Sequence, residues 1–195
     1  MRRILILLLL AAPLCIQAQL KYDEKGPDFN PPTLERAKSK DYDPLNTETF
    51  SIWVNHHSVA APKQQSERHA IWCTKEATYL AETYHTAWPL HYFHCTPNNY
   101  IEDCDTGEKY YMKQSIGYPV GETYWVRSLS YEWVMFVHVY PPLPPTCTTI
   151  STGGGGYSDD LEPGWGREEE LDHVSIASLQ ANQPLMKRKE VVIVY

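Results

Sequence analysis

The most chemically distinctive part of the chain is a run of histidine and cysteine residues near its middle. His91, His94 and Cys95 are close together, and Cys104 follows. Imidazole and thiolate groups are the ligands that zinc prefers. If residues 90–95 form a strand, however, His91 and Cys95 point to one face and His94 to the other, so the set converges only with a bulge. The sequence therefore favours no metal centre, and no other cofactor is expected.

A second group of residues has the types that a hydrolase uses. Arg127, Glu132 and His138 supply a cation, a carboxylate and a base on neighbouring predicted strands. Glu132 and His138 share one strand face but lie about 20 Å apart, at about 3.3 Å per residue. At that distance the two residues cannot act on the same scissile bond, unless a neighbouring strand supplies a closer partner for one of them. A two-residue turn at 129–130 would place Arg127 opposite Glu132, which predicts a plain cross-strand ion pair.

The familiar short catalytic motifs are missing from the sequence. There is no G-x-S-x-G nucleophile elbow and no H-E-x-x-H metalloprotease helix. The glycine run at 153–156 lacks the Lys-Ser/Thr pair and the helix of a phosphate-binding loop, so it indicates a flexible linker. An enzyme is not excluded, but it is the less favoured reading.

Aromatic residues are the remaining clue to a binding function, with 14 Tyr and 6 Trp in the chain. Such side chains give large contact areas at small entropic cost in protein interfaces and sugar platforms. Most aromatic residues of a β-rich fold pack in its core. Trp165, which lies in a Gly- and Pro-containing segment, is expected to be exposed, and Trp125 is a second candidate.

The N-terminus has the pattern of a secretory signal peptide. Arg2 and Arg3 precede an apolar run at 4–16, and the small residue Ala18 follows in an A-x-A-like context. An apolar run of about 13 residues is shorter than the roughly 20 that a spanning helix needs. We therefore expect a signal peptide at 1–18, secretion to the extracellular space and no membrane span.

Removal of that segment leaves four cysteines, namely Cys73, Cys95, Cys104 and Cys147. An even number in an oxidising compartment predicts two disulfides, with all three connectivities open. Each bridge would stabilise the fold by about 2–4 kcal/mol. The formal charge of −7 for the whole chain argues against a general nucleic-acid or anionic-membrane surface.

The pattern of elements favours a single domain over 50–195. Residues 19–49 are polar and contain several prolines, which indicates an N-terminal arm. Apolar residues spaced by three and four predict an amphipathic helix over 64–85, with Cys73 facing the core. Aromatic and β-branched residues predict strands at 50–59, 90–95, 100–104, 108–114, 122–129 and 131–140.

Two further features concern turns and the C-terminus. Asp105-Thr106-Gly107 has the chemistry of a hairpin turn. The composition of 151–166 predicts a flexible glycine-rich loop. The last run, 191–195, is apolar and is expected to return as a strand of the same sheet.

These features together predict an α+β fold, in which a mostly antiparallel sheet packs against one helix in a small, disulfide-stabilised secreted domain. The favoured function is binding of another macromolecule, as in an effector-like or host-interaction protein, and the expected partner is an extracellular or host protein, or a polysaccharide. A secreted hydrolase, ribonuclease-like in character, and a carbohydrate-binding module are the alternatives.

Overall fold

The structure is a computed structural model that describes residues 19–29, 34–35, 51–53, 58–86, 90–116, 120–121, 123–127, 132–154 and 171–189. Within these ranges the fold is mostly antiparallel β-sheet with one short helix. The strands are β1 Leu34–Glu35, β2 Ser51–Trp53, β3 Ser58–Val59, β4 His69–Cys73, β5 Thr78–Thr86, β6 Leu90–His94, β7 Tyr100–Asp103, β8 Glu108–Tyr111, β9 Gln114–Ser115, β10 Thr123–Arg127, β11 Glu132–Tyr140, β12 Thr149–Gly153, β13 Val174–Ser175 and β14 Arg188–Lys189, and the helix is α1 Ile176–Ala181.

The strand β11 organises the central sheet, whose order is β14-β3-β11-β5-β4. It pairs along its whole length with β5, from Glu132 opposite Thr86 to Tyr140 opposite Thr78. On its other side, β11 pairs with β3 near one end and with β9 near the other. The strand predicted at 131–140 is confirmed.

Both faces of β11 are buried, which explains its almost continuous apolar sequence. Val134 and Phe136 belong to a large core cluster on one face. Met135 and Val137 belong to a second, smaller cluster on the other face. His138 lies on the Phe136 face and is only 4% exposed, so it is enclosed in the core.

The predicted helix over 64–85 is wrong, because most of this segment is the antiparallel hairpin of β4 and β5. Thr74 closes the hairpin: its hydroxyl donates to the Ala77 carbonyl and accepts the Ala77 N–H. Cys73 packs in the large cluster, whereas Ala70 packs in the small one. Burial on both faces removes the alternation that marks a strand, and the remaining apolar spacing resembles that of a helix.

Two four-stranded sheets flank the central one. The first has the order β1-β2-β10-β6, and Phe93 of β6 packs against Phe136 with ring centroids 4.8 Å apart. The second has the order β13-β12-β7-β8. The predicted turn at 105–107 is confirmed within it: it joins β7 to β8, and Gly107 has a φ of 74°, which favours glycine.

The helix α1 and the segment that begins at residue 19 cover the edge of the central sheet at β4. The Asn182 amide donates to the His69 carbonyl, and the Gln183 amide donates to the Ile71 carbonyl. The Cys73 N–H donates to Asp23. These contacts satisfy backbone groups that an edge strand otherwise exposes.

Several predicted features fall wholly or partly outside the described residues. The predicted loop at 151–166 overlaps β12, which continues to Gly153, and residues 155–170 are not described. The signal peptide at 1–18 and the final strand at 191–195 also lie outside. No helix of the described ranges has the length and apolar character needed to cross a membrane.

Candidate functional site

The three residues suggested for hydrolysis lie on two strands. Arg127 ends β10 opposite Leu90, and Glu132 begins β11 opposite Thr86. The two strands belong to different sheets, so Arg127 and Glu132 are not cross-strand neighbours. His138 is buried far along β11 from Glu132. The side chain of Arg127 is not described, so a hydrolytic role of the three residues stays a prediction.

The residues suggested for metal binding are described only in part. His91 and His94 lie on β6, but their side chains are outside the described parts. The Cys104 sulfur lies 3.3 Å from the Ser151 hydroxyl, whereas Cys95 is buried in the core. Among the described residues, no group of three or more His, Cys, Asp or Glu side chains is arranged to hold a metal ion.

The two tryptophans suggested for binding remain predictions. Trp125 lies on β10 opposite Tyr92 and Ile52, but its side chain is not described. Trp165 lies outside the described residues.

No disulfide joins the cysteines of the described chain, so the structure does not support the two predicted bridges. Cys73 and Cys147 are both 0% exposed and belong to the same core cluster. Burial raises the pKa of the Cys73 thiol to about 12, and the Asp23 charge adds to the effect. Burial also raises the pKa of Cys147, helped by Asp103. In their reduced form both groups are therefore protonated at neutral pH and are poor nucleophiles.

The most exposed aromatic surface of the described chain lies on β7 and β8. Tyr100 stands opposite Tyr111, and Glu102 stands opposite Lys109. The two tyrosine rings have centroids 5.8 Å apart, and the Lys109 ammonium lies 4.2 Å from the centre of the Tyr100 ring. Tyr111 is 56% exposed. We call these four residues the tyrosine face.

Two properties make the tyrosine face suited to binding. The sheet order ends at β8, so no described strand pairs with its outer edge. Tyr100 is held close to the backbone of β12, since a Cβ at Gly153 would lie 2.5 Å from the Tyr100 hydroxyl oxygen. An edge strand with an adjoining aromatic surface offers both backbone hydrogen bonds and side-chain contacts to an extended segment.

A separate small cleft of about 220 Å³ collects groups with acid–base chemistry. His69 on β4 faces Glu82 on β5, with 3.6 Å between His69 Nε2 and Glu82 Oε1. The Arg68 guanidinium lies over the Trp133 ring at 5.0 Å, and the His85 ring is 5.1 Å from the same indole. This cleft was not predicted from the sequence, because the predicted helix placed His69 and Glu82 several turns apart.

A larger groove of about 780 Å³ lies beside the N-terminal segment. Trp72, Met135 and Met186 contribute apolar surface to it, and both signs of charge are present on its rim. The Asp23 carboxylate on that rim already accepts hydrogen bonds from Cys73, Gln180 and Gln183. Asp23 is therefore already engaged in holding the N-terminal segment against β4, α1 and the residues that follow α1.

Comparison with known proteins gives no family for this chain. No protein-family model matches it, and no curated protein or solved structure is significantly similar to it. The described ranges therefore define its class by fold alone, as a mostly antiparallel β protein in which these ranges contain one short α-helix.

Proposed function

We propose that the mature chain is a secreted protein that binds an extracellular or host protein, and that the tyrosine face is its binding surface. The observation that carries the proposal is the 56% exposure of Tyr111 on the outermost strand of its sheet, opposite Tyr100. Large exposed aromatics are enriched at the centres of protein interfaces. The partner would bind through an extended segment, which pairs with β8 as an additional strand of the sheet.

The contrast with β4 supports this choice of edge. Side chains of Asn182, Gln183 and Asp23 hydrogen-bond to the backbone of β4. The described residues show no comparable cover on the outer edge of β8. Proteins protect the sheet edges that they do not use, so an unprotected edge beside exposed aromatics is the better docking surface.

A secreted location rests on the predicted signal peptide, and two of the remaining cysteines are placed so that they could pair. Cys73 and Cys147 are buried in one cluster, and the charge of Cys73 is among the causes that raise the pKa of Cys147. Their proximity supports one disulfide between them in the secreted protein, in place of two bridges. Such a bridge closes a long loop and would contribute about 2–4 kcal/mol.

The test selects binders for the secreted protein from a random-peptide phage library. Tyr111→Ala should weaken binding of the selected peptides about tenfold or more, because a central tyrosine contributes about 2 kcal/mol. Leu185→Ala is the matched control, since Leu185 is 43% exposed but lies outside the tyrosine face. Equal binding to the Tyr111→Ala protein, or no selected peptide, contradicts the proposal. Tyr111-dependent retention on chitin or cellulose would instead indicate a carbohydrate-binding module.

A secreted hydrolase is the second candidate, because the small cleft brings together Arg68, His69, Glu82 and His85. A histidine and a carboxylate can exchange a proton with a substrate, and an arginine can hold a phosphate. The test is cleavage of a fluorescent RNA oligonucleotide by the secreted protein. His69→Gln should reduce the rate about 100-fold or more, whereas the exposed His173→Gln should leave it unchanged. An inactive parent protein rules out the ribonuclease.

A further inference from the structure

Three side chains with metal-binding atoms meet in the core, apart from the surface and the cleft described above. They are Cys95, Met112 and His138, which are 3%, 8% and 4% exposed. The Cys95 sulfur lies 3.9 Å from the Met112 sulfur and 3.7 Å from His138 Nδ1. His138 Nδ1 lies 3.0 Å from the Met112 sulfur. We call this set the Cys–Met–His cluster.

We propose that the Cys–Met–His cluster binds one Cu(I) ion. A point about 2.1 Å from all three atoms exists at the centre of this triangle, which agrees with metal–sulfur and metal–nitrogen bonds of about 2.0–2.3 Å. A thiolate and a thioether together select soft Cu(I). The Cys95 thiolate is the one negatively charged ligand, and it balances the single positive charge of Cu(I) without a carboxylate.

The fold holds the three ligands from separate elements. Cys95 directly follows β6, and its carbonyl accepts the Gly121 N–H. Met112 directly follows β8, where its N–H donates to the Asn99 carbonyl. His138 belongs to β11, opposite Ser115 of β9. The ligands are therefore fixed by backbone pairing, which is the preorganisation that a metal site needs.

The nitrogen of His138 that faces the two sulfur atoms is Nδ1, at 3.7 Å from the Cys95 sulfur and 3.0 Å from the Met112 sulfur, so this is the atom that would bind the ion. On binding, the Cys95 thiol forms the copper–sulfur bond and releases its proton to solvent.

Zinc binding and disulfide formation are the two uses of these residues that would compete with Cu(I). Zinc takes Cys, His and carboxylate ligands and rarely a thioether, so it fits poorly with Met112. A disulfide at Cys95 would consume the thiolate, and copper binding would then be lost. The proposed Cys73–Cys147 bridge does not involve Cys95, so it does not compete with the copper site.

The experiment titrates the full secreted chain with Cu(I) under anaerobic conditions, in competition with a chromophoric Cu(I) chelator. The parent protein should bind one equivalent, and X-ray absorption of that complex should show two sulfur ligands and one nitrogen ligand. Met112→Leu keeps a similar side-chain volume and should still fold. It should weaken Cu(I) binding more than about tenfold, since even groups that only hydrogen-bond to a ligand change metal affinity by about 10–100-fold.

Two control variants separate this site from other sulfur groups. Met135→Leu changes a methionine that is 3% exposed in the other core cluster, and it should bind Cu(I) like the parent. Cys104→Ser removes the partly exposed thiol next to Ser151 and should also leave binding unchanged. The proposal is overturned if the parent loses all Cu(I) to the chelator, if Met112→Leu binds as tightly as Met135→Leu, or if Cys104→Ser abolishes binding.

Discussion

Tyr100 and Tyr111 lie directly opposite each other on β7 and β8, with their rings at 63° and their centroids 5.8 Å apart. This pair connects the fold to the proposed function. One ring is held against the backbone of β12 near Gly153, while the other is more than half exposed. The surface is thus packed on its inner side and accessible on its outer side.

A first prediction concerns the close approach of Tyr100 to Gly153. Gly153→Ala adds a methyl group 2.5 Å from the Tyr100 hydroxyl oxygen, so the ring must move. The free energy of unfolding should fall by about 1–3 kcal/mol, as for other overpacked sites. Urea denaturation measures the change. In the double variant with Tyr100→Ala, the Gly153→Ala cost should largely disappear; fully additive costs would mean that the two residues do not touch.

A second prediction concerns the pH dependence of stability at His138, whose pKa is lowered by burial. An unfolded histidine takes up a proton near pH 6.5, whereas the folded one does so only at lower pH. The unfolded state therefore binds more protons below about pH 6.5, and the free energy of unfolding should fall on acidification, by up to about 1.4 kcal/mol per pH unit. Glu82 opposes this shift and His69 adds to it.

Urea midpoints at about pH 7.5 and about pH 5.5 measure the effect. The loss on acidification should be smaller for His138→Gln than for the parent protein. His173→Gln is the control, because His173 is exposed and should retain the parent's pH dependence. An unchanged pH profile in His138→Gln would show that other groups control acid stability.

A third prediction orders the cysteines by reactivity in protein recovered from the culture medium. Cys104 is partly exposed and should be alkylated first under native conditions. Cys73 and Cys147 should appear as one cross-linked peptide in an unreduced digest. Cys95 is buried and should react only after denaturation. A Cys95–Cys104 peptide would restore the prediction of two disulfides and would exclude the copper site.

Part of the strand pattern was predicted from the sequence, at 100–104, 108–114 and 131–140. The strand at 131–140 was recognisable because its aromatic and β-branched residues favour a pleated surface. Gly107 correctly indicated the turn between β7 and β8. The hairpin at β4 and β5 was missed because burial on both faces removes the two-residue period. The short helix α1 has only six residues, too few to show a helical pattern.

The candidate sites were harder to predict, because each is made by pairing between distant strands. His69 meets Glu82 only through the hairpin that sequence analysis took for a helix. Met112 has no conspicuous motif, and it meets Cys95 and His138 only because β9 pairs with β11. Tyr111 looks like an ordinary strand residue until the order of strands places β8 at an edge.

The most direct test of the proposed binding surface is hydrogen exchange of the secreted protein with and without a selected peptide. Within β8, the Lys109 and Tyr111 amides should exchange more slowly in the complex, because they point to the outer edge, where an added strand pairs with them. The Glu108 and Tyr110 amides face β7 and should change less. The Leu185→Ala protein should show the same protection. Protection confined to the groove beside Trp72, or to the His69 cleft, with β8 unchanged, would contradict the assignment of the tyrosine face as the binding surface.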